Sequence, residues 1–249
     1  MTPFSDLLRH WRKMRRLSQL ELALEANVSA RHISFLETGR ARPSRDMIVL
    51  LGETLMVPLA ERNQMLAALG FTPRYAARDW DEAAMAPIRR AVDQLLVNHM
   101  PYPGIAIDRL WRLIRMNKAA KQLFGMFGMT EGESMLNLLS NPMLWQMIEN
   151  WPEVAHHSMM RLRVESRAQG GVAELDAAAS VLADHAKLGS DVGPTVPTVF
   201  RFGDQRLAMF GTVAQFGSPE DLTLEDMKVE LFFPSDAETD QKLTEMFAD

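Results

Sequence analysis

Two short helical patterns separated by a three-residue turn restrict the fold of this chain more than any other feature of its sequence. Ser18, followed three residues later by a glutamate, has the pattern of a capping box and predicts a helix over residues 19–26. A second helix is predicted over residues 30–37, because Ser29 can cap its start and Gly39 can end it in the left-handed conformation. The apolar residues spaced to form a small core between the two helices are Leu22, Ala23, Ala26, Val28, Ile33 and Leu36.

Three further helices are predicted around this pair. Apolar residues from Phe4 to Met14 recur with a helical period and predict a helix over residues 4–16. Ser44 can cap a fourth helix that runs to about Val57, and Pro58 opens a fifth that ends near residue 69. Five short helices with a tight turn between the second and the third are typical of a helix-turn-helix arrangement.

The charge of the chain is divided unevenly between this helical segment and the remainder. Residues 1–78 contain 12 basic and 7 acidic side chains, whereas the rest of the 249 residues contain 15 basic and 25 acidic ones. A basic segment on an acidic protein indicates a module that faces nucleic acid. The N-terminus lacks the apolar stretch of a signal peptide, and polar residues interrupt the apolar stretch 47–60, so we expect a cytoplasmic protein with no membrane partner.

The residues that build the two central helices also resemble a known family. Residues 18–23, 28–40 and 43–44 are similar to the lambda-type phage repressor and XRE family of DNA-binding domains. The resemblance implies an all-α, five-helix DNA-binding domain over residues 1–72, with helix 30–37 in the major groove of a double-stranded DNA operator. It also implies a structural ion pair between Arg12 and Glu37.

The predicted DNA contacts follow from this resemblance and from the side chains of helix 30–37 that would point away from the core. Phosphate contacts position such a domain, and side chains on the recognition helix read base edges. Ala30 can make only apolar contacts, and Phe35 either meets the DNA or packs on a neighbouring helix or partner. The predicted DNA-binding residues are Gln19, Ser29, Ala30, Arg31, Ser34, Phe35, Arg40, Arg42, Ser44 and Arg45.

The remainder of the chain has an α+β pattern after a predicted linker over residues 73–86. Helices are predicted from Pro87, over 118–124, 142–150, 151–168 and 175–188, and over 238–247, with a methionine-rich loop after residue 125. Strands are predicted over 105–107, 111–116, 198–202, 206–216 and 228–233. This order favours an antiparallel sheet packed on helices, within a domain over residues 87–249.

Two stretches of this second domain, residues 101–111 with Asn117 and residues 216–225 with 230–234, resemble the PAS-like ligand-binding domain of MmyB-like transcription regulators. The resemblance implies a pocket for a small apolar effector, such as a fatty acid. Thirteen of the 18 methionines follow residue 78. Because methionine side chains are flexible, they are typical of an adaptable apolar pocket, but they also occur in an ordinary core. Arg161, Arg163 and Arg201 are candidate partners for an acidic group. The predicted ligand-binding residues are Phe124, Trp145, Met147, Met159, Leu162, Arg163 and Met209.

The sequence therefore predicts a one-component transcription regulator that binds DNA as a homodimer and responds to a small apolar ligand. The alternative is a DNA-binding regulator whose second domain serves only dimerisation or binds a protein partner. No phosphate-binding loop, metal-binding pair of histidines or nucleophile elbow occurs, and cysteine is absent. We therefore expect no enzyme activity, no metal and no cofactor other than the effector.

Overall fold

The computed structural model describes residues 3–187, 194–217, 220–225 and 227–247, which form two compact units. Within these ranges the first unit comprises residues 3–78 and 220–225, and the second comprises the others. The expected linker over 73–86 is therefore divided, and its first part belongs to the first unit. The physical reason is Asn63, whose side chain accepts from the backbone N–H groups of Arg74 and Tyr75 and donates to the Tyr75 carbonyl.

The first unit contains the five expected helices: α1 Pro3–Met14, α2 Gln19–Glu25, α3 Ala30–Thr38, α4 Arg45–Thr54 and α5 Leu59–Ala67. The short segment α12 Leu222–Glu225 also belongs to it. The predicted capping box is present, because the Ser18 hydroxyl accepts from the Glu21 N–H and the Glu21 carboxylate accepts from the Ser18 N–H. Ser29 caps α3, and Gly39 ends it with a φ of 73°.

The predicted core of the helix pair is buried, except that Val28 is half-buried. It continues into side chains of the other three helices, including Phe4 and Trp11 of α1, Ile48 and Leu51 of α4, and Leu66 of α5. The small Ala23 is buried where α2 meets α3. The helices of this unit are thus stabilised mainly by the apolar faces that they share.

Among its described residues, the second unit combines seven α-helices with one sheet. The helices are α6 Ala86–Asn98, α7 Lys118–Gly125, α8 Met135–Leu139, α9 Pro142–Met147, α10 Trp151–Ala168, α11 Ala173–Ala183 and α13 Ala237–Phe247. The strands are β1 Gly104–Ile107, β2 Leu113–Met116, β3 Thr198–Phe202, β4 Gln205–Gln215 and β5 Lys228–Pro234. A 3₁₀ turn, Ala83–Met85, precedes α6.

All four strand pairings of the sheet are antiparallel, and the strand order is β2-β1-β5-β4-β3. β5 is the central strand and pairs with β1 on one side and β4 on the other. Gly203 has a φ of 60° in the two-residue turn between β3 and β4, where a side chain would be strained. The α+β fold class, with an all-α first unit and an antiparallel sheet in the second, is confirmed.

The structure differs from the sequence prediction at several places in the second unit, among them α9, which ends at Met147 and not at residue 150. The methionine-rich loop includes the helix α8, and the predicted hairpin strand over 111–116 begins only at Leu113. Trp111 lies before that strand with a φ of 59°, held by its N–H bond to the Asp108 carbonyl. α11 ends at Ala183, and the end of the helix predicted to residue 188 lies partly outside the described residues. None of the described helices is long and apolar enough to cross a membrane.

A single buried side chain, Asn117, joins four parts of the second unit. Its Oδ1 accepts from the N–H groups of Gly104 in β1 and Ala120 in α7, so that it caps α7. Its Nδ2 donates to the carbonyls of Leu96 in α6 and Tyr102. A Cβ at Gly104 would lie 3.0 Å from Leu96 Cδ2 and 3.3 Å from Leu231 Cδ2, so the glycine leaves room for these two side chains beside Asn117.

We expect Asn117→Ala to lower the free energy of unfolding of the second unit by about 3 kcal/mol, because it leaves buried donors and acceptors without partners and removes a helix cap. Tryptophan fluorescence during urea unfolding measures this, since four of the five tryptophans follow residue 78. The control is Gln122→Ala on the exposed face of α7. A loss no larger than that of the control would contradict this role for Asn117.

Candidate nucleic-acid interface and ligand cavity

Glu37, near the end of α3, forms hydrogen bonds that connect three helices of the first unit. Its carboxylate accepts two hydrogen bonds from Arg12, at 2.6 and 2.9 Å, and one at 2.7 Å from the side-chain amide of Gln19. Arg9 donates to the backbone carbonyl of the same glutamate. The expected ion pair between Arg12 and Glu37 is therefore present, and it ties α1 and the start of α2 to the end of α3.

The pKa of Glu37 is shifted by opposing effects. Burial works against its negative charge, but hydrogen bonds from Arg12 and Gln19 outweigh burial and lower the pKa below the usual value. Gln19, predicted to contact the DNA backbone, thus has a structural partner within the unit. A phosphate contact by Gln19 stays a prediction.

The outward face of α3 carries the side chains that were predicted to read bases. Arg31 is exposed, and its guanidinium carbon lies 5.1 Å from the centroid of the Phe35 ring. Ser34 and Phe35 are half-buried, and Ala30 packs against the core of the first unit. Phe35 is therefore covered by a cation on its own helix, and the pair presents a mixed apolar and positive surface.

Basic residues of the loop after α3 flank this face. Arg40, Arg42 and Arg45 are exposed, and Arg42 donates to the Leu69 carbonyl at 2.7 Å. The Ser44 hydroxyl accepts from the Met47 N–H and caps α4. The predicted phosphate-binding residues thus lie around the exposed N-terminal part of α4 and next to the end of α3.

A cavity of about 330 Å³ lies in the second unit between strands β3 to β5 and helices α7 to α10. Volumes of this size are typical of small-molecule sites. Most of its lining side chains are apolar, and Trp111 contributes from the turn before β2. The other apolar lining residues are Phe124, Met135, Leu138, Leu139, Leu144, Ile148, Val154, Val196, Phe200, Met209, Gly211, Val213 and Phe232.

One helix and the strands provide much of the lining in regular patterns. On α10, Val154, His157, Ser158 and Arg161 follow the helical spacing i, i+3, i+4, i+7. On the strands, every second residue lines the cavity: 209, 211 and 213 of β4, and 230 and 232 of β5. Strand alternation in the sequence was the signal that could have identified these positions.

Two of the seven predicted ligand-binding residues, Phe124 and Met209, line this cavity. Met159 and Leu162 instead belong to the core of the second unit, because they lie on a different stripe of α10. Arg163 is exposed, since it lies two residues beyond Arg161 and roughly 200° around the helix. These three residues therefore do not line this cavity, and a role for them in ligand binding stays a prediction.

The two predicted residues of α9 also lie outside the cavity lining. Trp145 stacks on Trp151 with ring centroids 5.7 Å apart, and its indole N–H donates to the Leu139 carbonyl. Met147 is half-buried. Leu144 of the same helix lines the cavity instead, because the short helix presents only one side to it. Arg201 pairs with Glu149 at the surface.

Four ionisable residues form a network at one end of the cavity. Arg161 pairs with Glu230, and its Nε lies 2.9 Å from Glu165. Glu165 also accepts from the ammonium of Lys228 at 2.6 Å and from the indole N–H of Trp111 at 2.8 Å. Of the four, Arg161 and Glu230 line the cavity. The two cations balance the two carboxylates, so this end is polar without a net charge.

Burial and pairing oppose each other throughout the network. Burial works against the charge of Arg161, but Glu230 and Glu165 outweigh it and raise the pKa of the guanidinium. Burial likewise works against ionisation of Glu165, but Lys228 and Arg161 lower its pKa below the usual value. The guanidinium of Arg161 also lies over the Trp111 ring, 4.4 Å from its centroid. The network therefore holds Arg161 and Trp111 in fixed positions against the cavity.

Among the described residues, no group of three or more metal-ligating side chains could hold a metal ion. Residues 88–246 match the family model of the MmyB-like transcription regulator ligand binding domain, which spans more than half of the chain. Residues 8–62 match a helix-turn-helix family model. The chain has no match among curated proteins.

One solved structure with similarity to the chain is the PAS domain from Bordetella pertussis BvgS. The similarity covers 64% of this chain and 96% of that chain, with 13% sequence identity and a TM-score of 0.31. A TM-score this low does not define the fold, which rests on the strand order and the helices described above. The two family resemblances that the sequence predicted are confirmed by these matches.

We expect Glu37→Gln to lower the free energy of unfolding of the first unit by about 2 kcal/mol at neutral pH, because it removes a charged hydrogen-bond acceptor. The folded-state pKa of Glu37 is lowered, so its stabilising effect is present above the pKa of the unfolded chain, about 4.3, and is lost as the pH falls through the folded value. The difference between wild type and variant should therefore shrink below about pH 4.

Trp11 is a buried residue of the first unit, so the NMR signal of its indole N–H reports the unfolding of that unit. Urea titrations followed by this signal at several pH values measure the free energy of unfolding. Glu25→Gln, which changes an exposed glutamate of α2, is the matched control. A difference between wild type and Glu37→Gln that stays constant down to about pH 3 would contradict the electrostatic role of Glu37.

Proposed function

Because the chain belongs to the family of transcription regulators with an MmyB-like ligand-binding domain, we propose that an apolar ligand in its cavity changes how tightly it holds a DNA operator. The observation that carries this proposal is the cavity of about 330 Å³, lined mostly by apolar side chains and also by the Arg161–Glu230 pair. A ligand can act in this way only if it binds two arrangements of the protein with different affinity.

In this proposal α3 lies in the major groove of the operator. Arg31 hydrogen-bonds to base edges, while Ser34 and the apolar surfaces of Ala30 and Phe35 contact neighbouring bases. Arg31 is exposed and lies on the first turn of α3, and both facts support this role. The residues assigned to the phosphates are Gln19, Ser29, Arg40, Arg42, Ser44 and Arg45.

The operator is proposed to contain two half-sites. A two-fold symmetric dimer of helix-turn-helix units reads half-sites about one helical turn apart, so a near-palindrome is expected. Selection of bound duplexes from a random pool by the full chain identifies such a site. A selected sequence with a single half-site would argue against a dimer on DNA.

The ligand is proposed to be a small amphiphile such as a fatty acid. The charge balance at the polar end favours a head group that accepts from Arg161 and donates to Glu230, as a protonated carboxylic acid or an alcohol does. A fully ionised head group would meet the Glu230 carboxylate as well as the guanidinium. An aliphatic tail would lie against Phe124, Met209 and their apolar neighbours.

We expect Arg31→Ala to weaken binding to the selected operator by about 1–3 kcal/mol, which is about 5- to 150-fold, because it removes a base contact. Its binding to an unrelated duplex should change much less. Arg45→Ala should weaken binding to both duplexes alike and reduce the slope of log K against log salt by about one. Fluorescence anisotropy at several salt concentrations measures both effects.

The control for these variants is Arg90→Ala, which removes an exposed arginine of α6 in the second unit. Its effect on both duplexes should be small. If Arg31→Ala lowers the affinity for the operator and for the unrelated duplex equally, α3 is not the recognition helix.

We expect Gly211→Leu to abolish binding of 1-dodecanol and dodecanoic acid, because the new side chain enters the cavity. A Cβ at Gly211 would meet the Phe232 ring at an ordinary contact distance of 3.8 Å, so the strand accepts a side chain there. Isothermal titration calorimetry measures the binding. Methyl dodecanoate should bind wild type more weakly than the other two, since an ester cannot donate to Glu230.

Thr212→Leu is the matched control, because it introduces the same side chain at the neighbouring exposed position of β4, which does not line the cavity. It should bind 1-dodecanol as wild type does. If Gly211→Leu binds 1-dodecanol as tightly as wild type does, the ligand lies outside this cavity. A wild-type protein that binds none of the three amphiphiles would contradict the proposed ligand class.

A further inference from the structure

Residues 220–225, here called the cap segment, follow β4 and precede β5 in the chain, yet they belong to the first compact unit. Both carboxylate oxygens of Glu225 accept from the backbone N–H of Leu59, at 2.7 and 2.9 Å. Leu59 is the first residue of α5, so the cap segment supplies an acceptor and a negative charge at the N-terminus of this helix.

The start of α5 requires such an acceptor. The first N–H groups of a helix have no partners within it, and a side chain at the preceding residue normally accepts from one of them. That preceding residue is Pro58, which makes no side-chain cap. Glu225 therefore takes the place of the local cap, and its charge interacts favourably with the positive end of the helix dipole.

A second set of contacts holds the other end of the cap segment. Asp221, whose side chain is 5% exposed, lies 2.6 Å from Arg78. The N–H of Leu222 donates to the Ala76 carbonyl, and the Thr223 hydroxyl donates to the Arg78 carbonyl. The segment is thus bound to residues 76–78 and to α5 by separate interactions.

The strands that enter and leave the cap segment line the ligand cavity. Gly211 and Val213 of β4 and Glu230 and Phe232 of β5 face the cavity, and the pairing of the two strands continues to Gln215 and Lys228. Lys228 and Glu230 are also members of the buried ion network. The cap segment is therefore connected along the chain to two strands that line the cavity.

We propose that the cap segment transmits occupancy of the cavity to the DNA-binding unit, through the hold of Glu225 on α5. α5 packs against α1, and α1 packs against α3, so a change at the start of α5 reaches the helices that carry the DNA contacts. This inference rests on the proposed function, since it names the residues that couple the same cavity to the same DNA interface.

The first test is hydrogen exchange of the full chain without any ligand. In Glu225→Gln, amides at the start of α5 should exchange about five- to tenfold faster than in wild type, because the charged cap is lost. Amides at the adjoining ends of β4 and β5 should also exchange faster, because the segment that joins them is released. Glu220→Gln, an exposed glutamate of the same segment, is the matched control and should match wild type.

Arg78→Gln releases the other end of the segment and should give the same pattern, which keeps the test valid if Glu225→Gln folds poorly. Faster exchange confined to α5 in both variants, with β4 and β5 unchanged, would overturn the inference. This outcome does not depend on which ligand the cavity takes.

The second test measures operator affinity with and without saturating 1-dodecanol. If wild type responds, Glu225→Gln should bind the operator and 1-dodecanol separately, but the ratio of its two operator affinities should approach one. A ratio equal to that of wild type would overturn the inference while leaving the proposed function intact. A wild type that binds 1-dodecanol without any change in operator affinity would instead contradict the proposed function, and the exchange test alone would then decide the coupling.

Discussion

The antiparallel pairing of β4 with β5 is the interaction on which most of the second unit depends. The pairing runs from Met209 opposite Pro234 to Gln215 opposite Lys228, and β5 is at the same time the partner of β1. Because strand residues alternate between two faces, this register places Gly211 and Glu230 together on the cavity side. A shift by one residue would move every one of these side chains to the other face. The cavity and its polar end therefore follow from one register.

The helix-turn-helix could be predicted from the sequence because its signals are local. Ser18, Ser29 and Gly39 each act on backbone within a few residues, and the structure places all three at the expected helix ends. The pair between Arg12 and Glu37 joins distant residues, and only the family resemblance pointed to it. The fold class and the division into two domains were also predicted from local patterns, combined with the resemblance of each domain to a known family.

Most of the residues predicted to bind the ligand do not line the cavity, because packing between distant segments decides which side chains face it. α10 has one stripe that enters the core, with Met159 and Leu162, and another that faces the cavity, with Ser158 and Arg161. Hydrophobicity favoured the first stripe, whereas the cavity uses the more polar second one. The role of Glu225 was equally hidden, since nothing near Pro58 in the sequence indicates that its helix receives a carboxylate from so far along the chain.

The separation between that carboxylate and its helix has a consequence for synthesis of the protein. Glu225 follows Leu59 by 166 residues, and a ribosome adds about 5–20 residues per second. For roughly 8 to 30 seconds after α5 has been made, the helix must exist without its acceptor. The nascent first unit therefore gains the acceptor at the start of α5 only when nearly the whole chain has been translated. A transcript truncated before residue 225 encodes a DNA-binding unit that never receives this cap.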